Sequence, residues 1–251
     1  MPEWDSAQYL RFQDERTQPC RDLAARIALV EPATIIDLGC GPGNSTEVIA
    51  ARFPGAAVTG LDSSAAMIAT AHERHPEWHW VAGEIAGWAA GSERYDLVFS
   101  NAALQWVGDH ETLFPKLLQH ARAVAVQMPG KWDAPAHRIM REIAGRFGML
   151  AGVREWFSHD ENFYYDLLAP RCARLDLWVT EYLHVMADAG GIVEWYRGSG
   201  LRPFLEALPD DEARTRFVAE YRERIGAAYG PRADGRVVLP FRRLFLVAYN
   251  D

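Results

Sequence analysis

The chain has 251 residues, 49% hydrophobic and 24% charged, with a formal net charge of −8. That length and balance describe one large globular α/β domain with room for an insertion, and exclude a disordered or fibrous chain. The acidic balance disfavours nucleic acid as a partner and long-range steering of an anionic substrate, so a bound anion would have to meet a local cluster of cations.

Residues Trp4 to Leu29 read as helical, with Leu10, Leu23, Ala24 and Ile27 on an apolar face and Arg11, Asp14, Glu15 and Arg16 solvated. Pro19 is placed to start a second helix within this stretch. The acidic start Met1-Pro2-Glu3-Trp4-Asp5 lacks the basic-then-apolar pattern of a secretory signal. No apolar run approaches the ~20 residues of a membrane helix. A cytoplasmic protein with no membrane partner is expected.

The run Thr34 to Leu38 is a strand, Gly39-Cys40-Gly41-Pro42-Gly43-Asn44 a turn, and Ser45 to Arg52 a helix. Glycine has no Cβ, so the turn can use positive φ and a ligand can approach bare backbone. Such turns lie at the carboxyl ends of parallel strands, where open α/β sheets bind ligands. A second strand, Ala57 to Leu61, ends in Asp62, and Ser63 or Ser64 can cap a helix over Ala65 to Arg74. His79 to Gly83 reads as strand three, with Glu84-Ile85 at its tip. Tyr95 to Ser100 is strand four, followed by Asn101-Ala102-Ala103-Leu104-Gln105-Trp106. After a helix over Asp109 to Leu118, the apolar run Ala121 to Gln127 suits a central strand five.

From Lys131 to Phe157 the sheet pattern stops, and Ile139, Ile143, Phe147 and Leu150 make a helical stripe. Phe163 to Ala173 reads as a helix and Leu175 to Met186 as strand six. Gly190 to Tyr229 is helical, broken at Pro203 and Pro209, and Val237 to Tyr249 contains strand seven. The expected layout is a single domain with core segments 30–130, 159–187 and 236–251, helical cap insertions 131–158 and 188–235, and an N-terminal helical segment 1–29.

Glycine spacing separates two kinds of cofactor. Dinucleotide folds use Gly-x-Gly-x-x-Gly with a pyrophosphate at the helix N-terminus. Here the spacing is Gly-x-Gly-x-Gly, and Asp37 sits two residues before Gly39. An acid there repels a pyrophosphate and suits an ammonium group, while Asp62 at the second strand tip suits ribose hydroxyls. Ammonium plus ribose without phosphate describes S-adenosylmethionine.

Asp37 through Gly43 and Asp62 resemble the first motif and second-strand acid of the class I S-adenosylmethionine-dependent methyltransferases. The resemblance implies a Rossmann-like, mostly parallel seven-stranded sheet with an antiparallel last strand. It implies a cofactor site of Asp37, Gly39, Gly41, Gly43, Asn44, Asp62, Ser63, Glu84, Ile85, Asn101, Ala102 and Trp106. Glu84 would face the adenine amino group, although an acid of this family's commoner type there is Asp; a solvated loop Glu is the alternative. Asn101 and Trp106 would lie beside the methionine part, with Trp106 either a cofactor wall or a core anchor. Trp4-Asp5-x-x-x-Tyr9 resembles the start of the family's flap over the cofactor, against plain core packing of Trp4 and Tyr9.

The overall likeness further implies methyl transfer to a carboxylate of a small tricarboxylic acid, releasing S-adenosyl-L-homocysteine. A carboxylate is ionised at neutral pH and needs no general base, so alignment and exclusion of water by the cap would carry catalysis. The anionic acid needs cations. Arg197 and Arg202, within Glu194-Trp195-Tyr196-Arg197-Gly198-Ser199-Gly200-Leu201-Arg202-Pro203-Phe204, are first choices for a two-pronged clamp, with Trp195 and Tyr196 as substrate-binding ring residues beside them. Trp132, Arg138 and Tyr9 are second choices. Surface arginines on a cap helix are the alternative for Arg197 and Arg202, and a core role is the alternative for Trp132. A different acceptor (amine, phenol or quinone-like carbon) and a non-catalytic cofactor-binding protein remain open. Cys20, Cys40 and Cys172 show no disulfide or zinc spacing, and His72, His75 and His79 are interrupted by Pro76, so no metal is expected.

Overall fold

The computed structural model describes residues 13–130, 132–153 and 156–250. Trp4 and Tyr9 therefore lie outside the described residues. The chain divides into two compact units. The larger takes Arg16–Lys131, Trp156–Thr180 and Arg242–Asp251, and the smaller draws on Trp132–Glu155 and Glu181–Phe241.

The first described helix, α1 (Gln13–Arg26), is continuous through Pro19 and does not begin there. Burial of Cys20, Leu23 and Ala24 anchors the turns after the proline. Then come β1 (Thr34–Leu38), α2 (Asn44–Arg52), β2 (Ala57–Asp62), α3 (Ala65–Arg74), β3 (His79–Ala82), the one-turn α4 (Ile85–Trp88) and β4 (Tyr95–Asn101). A 3₁₀ turn at Leu104–Trp106 leads to α5 (His110–Gln119) and β5 (Ala121–Met128). Ser64, rather than Ser63, caps α3 by accepting from the Met67 N–H at 3.4 Å. The sheet has seven strands in the order β3-β2-β1-β4-β5-β7-β6, counting β6 (Arg174–Met186) and β7 (Val237–Tyr249). β1 to β5 pair in parallel, and β7 runs antiparallel beside β5 with Gln127 opposite Phe245. Ile35, Leu97, Val98, Phe99, Val124 and Leu246 are fully or almost fully buried, which explains why the central strands read as unbroken apolar runs.

In the smaller unit, α6 (Pro135–Arg146) is shorter than the expected 131–157 segment. Gly148 takes φ 69° and Met149 N–H reaches back to the Ala144 carbonyl at 3.0 Å, a glycine-terminated helix end. Helices α8 (Ala189–Arg197), α9 (Arg202–Glu206) and α10 (Asp211–Ala228) replace the expected 190–229 stretch, with Pro209 in the last break. Asp188 and Asp210 cap α8 and α10. Ile139, Met140 and Ile143 pack with Trp195, Phe217, Tyr221 and Ile225 in this unit's core. In the larger unit α7 (Glu161–Leu168) starts at the Asp160 cap and gives way to a 3₁₀ turn at Ala169–Arg171. Among the described residues, no helix is long and apolar enough to cross a membrane.

Candidate active site

The glycine turn after β1 is built from three residues in the left-handed region, Gly39 (φ 76°), Gly41 (φ 54°) and Gly43 (φ 95°). A Cβ on Gly39 would meet the Ala103 Cβ at 2.2 Å, so turn one and the loop after β4 are in backbone-level contact. A Cβ on Gly41 would meet nothing within 4 Å. That is open space against bare backbone at the carboxyl end of a parallel strand, where a ligand is received. Gly39 and Cys40 N–H both donate to the Leu61 carbonyl, at 2.7 and 3.1 Å, tying the turn to β2.

Asp37 is completely buried (0% exposed). Its Oδ2 accepts from the hydroxyls of Ser45 at 2.6 Å and Thr46 at 2.7 Å, while Oδ1 has no partner. Burial pushes its carboxyl up to about 6, opposed by those two hydroxyls and reinforced by the nearby charge of Asp62. A buried carboxylate oxygen without a donor is costly alone and suited to an incoming cation.

Asp62 sits where the second-strand reading placed it and already has two backbone donors, Gly41 N–H at 3.0 Å and Ser64 N–H at 2.8 Å. It therefore braces the first turn against the second as well as presenting its remaining lone pairs. Asn44 does not stand free: its Oδ1 accepts from Arg74 Nη1 at 2.7 Å, and the same nitrogen donates to the Pro42 carbonyl at 3.0 Å. Arg74 Nη2 also reaches Glu47 Oε1 at 2.6 Å, and His75 Nε2 lies 2.7 Å from that oxygen. Arg74 and His75 thus pin the glycine turn to α3, a role the sequence reading missed. Ser63 and Glu84 are exposed at the tips of β2 and β3, and Ile85 is buried near Gly39.

On the far side of the turn, Asn101 ends β4 with its Oδ1 buried and unpartnered. Ala102 follows at φ 57°, a strained conformation for a residue with a Cβ, held by its N–H to the Gln127 carbonyl at 2.8 Å. Gln105 Nε2 donates to the Ala102 carbonyl at 2.6 Å, and Trp106 is half-buried, edge-on to Trp156 with centroids 6.1 Å apart. The structure thus brings Asp37, the three glycines, Asp62, Ile85, Asn101 and Ala102 together around one turn. A further pair was missed entirely: fully buried Gln127, whose Oε1 accepts from buried Arg243 Nη2 at 2.9 Å. The only local signal for it is a polar residue closing the apolar run of strand five and an Arg-Arg step in strand seven.

The substrate choices fall in the smaller unit and are described within it. Trp195 and Tyr196, expected to bind substrate, are each 2% exposed. Trp195 lies between His184 and Phe241, and Tyr196 is edge-on to His137. The structure gives both rings to the core, because their turn of α8 faces inward. Arg197, the last residue of α8, lies 3.5 Å from Glu194, and Arg202, the first of α9, holds Glu206 at 2.5 Å. Arg138 is exposed and lies 2.9 Å from Asp133. Trp132 is half-buried just after β5.

One turn with three left-handed glycines, an acid close to the end of each of the first two strands and the β5-β7-β6 edge define a methyltransferase of the Rossmann-like type. A sequence profile described as a methyltransferase domain matches residues 35–125, which is the span from β1 to β5. Fold comparison agrees: the Bacillus YcgJ protein superposes with a TM-score of 0.61 at 9% identity, covering 92% of this chain and 97% of that one. A phosphoethanolamine N-methyltransferase of Haemonchus contortus, in complex with S-adenosylhomocysteine, gives 0.54 at 15% identity, over 92% of this chain and 52% of its own. Sequence likeness goes further than fold. Proteins named trans-aconitate 2-methyltransferase from Azoarcus sp. (strain BH72) and Variovorax paradoxus (strain S110) are 51% and 46% identical, the first over 99% of both chains, the second over 99% of this chain and 98% of its own. The chain belongs to the trans-aconitate 2-methyltransferase family.

Proposed function

We infer that this protein transfers the methyl group of S-adenosyl-L-methionine to a carboxylate of trans-aconitate, giving the monomethyl ester and S-adenosyl-L-homocysteine. The observation that carries the reading is near-half or greater identity along almost the whole chain to proteins of that name, smaller unit included. The residues present fit the cofactor. Asp37 Oδ1 and Asn101 Oδ1 are buried acceptors awaiting donors, as an ammonium group supplies, and the space over Gly41 is open. Asp62 is proposed to take the ribose hydroxyls, Glu84 and Ile85 to flank the adenine, and Ala102 and Trp106 to border the methionine part. The bound cofactor supplies a methyl group on a sulfonium, already activated toward displacement.

What the chain must add is positioning. A carboxylate acceptor is ionised near neutrality, so no side chain need remove a proton; alignment within ~3–3.5 Å is the main demand. Arg197 and Arg202 are the proposed carboxylate clamps, supported by their charge and by their places at the end of α8 and the start of α9. The test is conversion of S-adenosylmethionine to S-adenosylhomocysteine with trans-aconitate against a panel of amines and phenols, with the ester identified by mass spectrometry. Single-turnover rates at saturating cofactor should be flat from about pH 6.5 to 8. Turnover on an amine or phenol alone, with a rate rising tenfold per pH unit, would replace this reading.

A further inference from the structure

Gln127 and Arg243 are separated by 116 residues, yet sit side by side at the carboxyl end of the central strands. Gln127 is 0% exposed and Arg243 6%. A guanidinium only donates, so the Gln127 amide must turn its oxygen toward Arg243. This aims the amide Nε2 elsewhere, and that buried nitrogen has no acceptor. Buried donors are rarely left unmade, and a ligand is one way to complete them.

The sheet register shows where the pair points. Asn101 is opposite Gln127, and Gln127 is opposite Phe245. Side chains repeat every second residue on a strand face, so Arg243 shares the face of Phe245, Gln127 and Asn101. Asp37 is opposite Phe99, two residues before Asn101, and so lies on the same face. Along that face the buried groups are sorted by kind. Acceptors without partners stand on β1 and β4, at Asp37 Oδ1 and Asn101 Oδ1, and Gln127 Nε2, a donor without an acceptor, stands on β5 beside the partnered Arg243 guanidinium of β7.

We propose that Gln127 Nε2 and the Arg243 guanidinium together hold a carboxylate. The inference rests on the proposed function, which supplies two such groups: the amino-acid carboxylate of the cofactor and a non-reacting carboxylate of the acid substrate. Either accepts one bond from the amide and one or two from the guanidinium fork.

The decisive variant is Gln127→Glu. It is nearly isosteric, and its carboxylate pairs with Arg243, so the melting temperature should hold or rise. The same carboxylate fills the acceptor position and repels an incoming anion. If the bound group belongs to the substrate, KM for trans-aconitate rises thirtyfold or more while the calorimetric Kd for S-adenosylmethionine stays within threefold. If it belongs to the cofactor, that Kd weakens tenfold or more, while binding of 5′-methylthioadenosine, which lacks the amino-acid portion, is unchanged. Arg243→Lys should lose part of the same quantity. A folded Gln127→Glu protein with both constants unchanged makes the pair structural and overturns the inference, leaving the function intact. If the wild type itself fails to methylate trans-aconitate, the functional reading falls, and the cofactor arm decides the pair: an unchanged Kd then overturns it.

Discussion

Asp37→Asn should make this protein more stable and less able to bind its cofactor. The carboxyl of Asp37 is held at about 6 in the fold against an ordinary value of 3.8, because burial disfavours its charge more than the Ser45 and Thr46 hydroxyls favour it. At 1.36 kcal/mol per pKa unit, ionising it in the folded, ligand-free protein costs about 3 kcal/mol. The native state binds this proton more tightly than the unfolded chain. Its contribution therefore lowers stability as pH rises from about 4 to 6, and the penalty is complete above 6 and absent below about 4. Asparagine removes the charge and keeps an oxygen for both hydroxyls. At pH 7.5 the variant should melt higher by roughly 5 °C, a gain that shrinks toward zero as pH falls to about 4. Its affinity for S-adenosylmethionine should drop at least about thirtyfold, since a cation loses its buried counter-charge. Calorimetric unfolding between pH 4 and 8 with titration of the cofactor reads both. A variant that melts lower at pH 7.5 and binds the cofactor normally would refute the account of Asp37 as a strained, ligand-completed acid.

Asp62→Ala removes charge-assisted bonds worth roughly 1.5–3 kcal/mol each, so cofactor affinity by calorimetry should weaken about ten- to a hundredfold; unchanged affinity would take Asp62 out of the site. Gly39→Ala combines a strained φ of 76° with a 2.2 Å overlap on Ala103. It should cost about 3 kcal/mol or more of stability and so lower the urea midpoint markedly, and a wild-type urea midpoint would contradict the packing described. Arg197→Ala and Arg202→Ala should each reduce kcat/KM for trans-aconitate about thirtyfold with cofactor Kd unmoved; full activity in both would shift the clamp to other cations, Arg138 first.

Local pattern was enough to place most of the fold. Among the described residues seven strands appear close to where the runs predicted them, from Thr34–Leu38 to Val237–Tyr249, and the central ones are the most legible because a strand buried on both faces has to be apolar along its length. The glycine turn was equally legible. Positive φ at Gly39, Gly41 and Gly43 is a demand on single residues, and sequence records it residue by residue. Helix limits were less so: α1 runs through Pro19 because burial around Cys20 and Leu23 outweighs one missing backbone donor. Other features depend on who meets whom. That Trp195 and Tyr196 turn inward follows from which face of α8 the neighbouring helices cover. That Asp62 braces Gly41, that Arg74 holds Asn44 and Glu47, and that Gln127 meets Arg243 are contacts between distant segments. The sequence alone determined the parallel sheet, its glycine turn and the acids at the strand ends, since backbone conformation and burial period are local. Only the tertiary structure decided which polar groups are buried without partners, because satisfaction of a buried group depends on what the folded chain brings within about 3 Å of it.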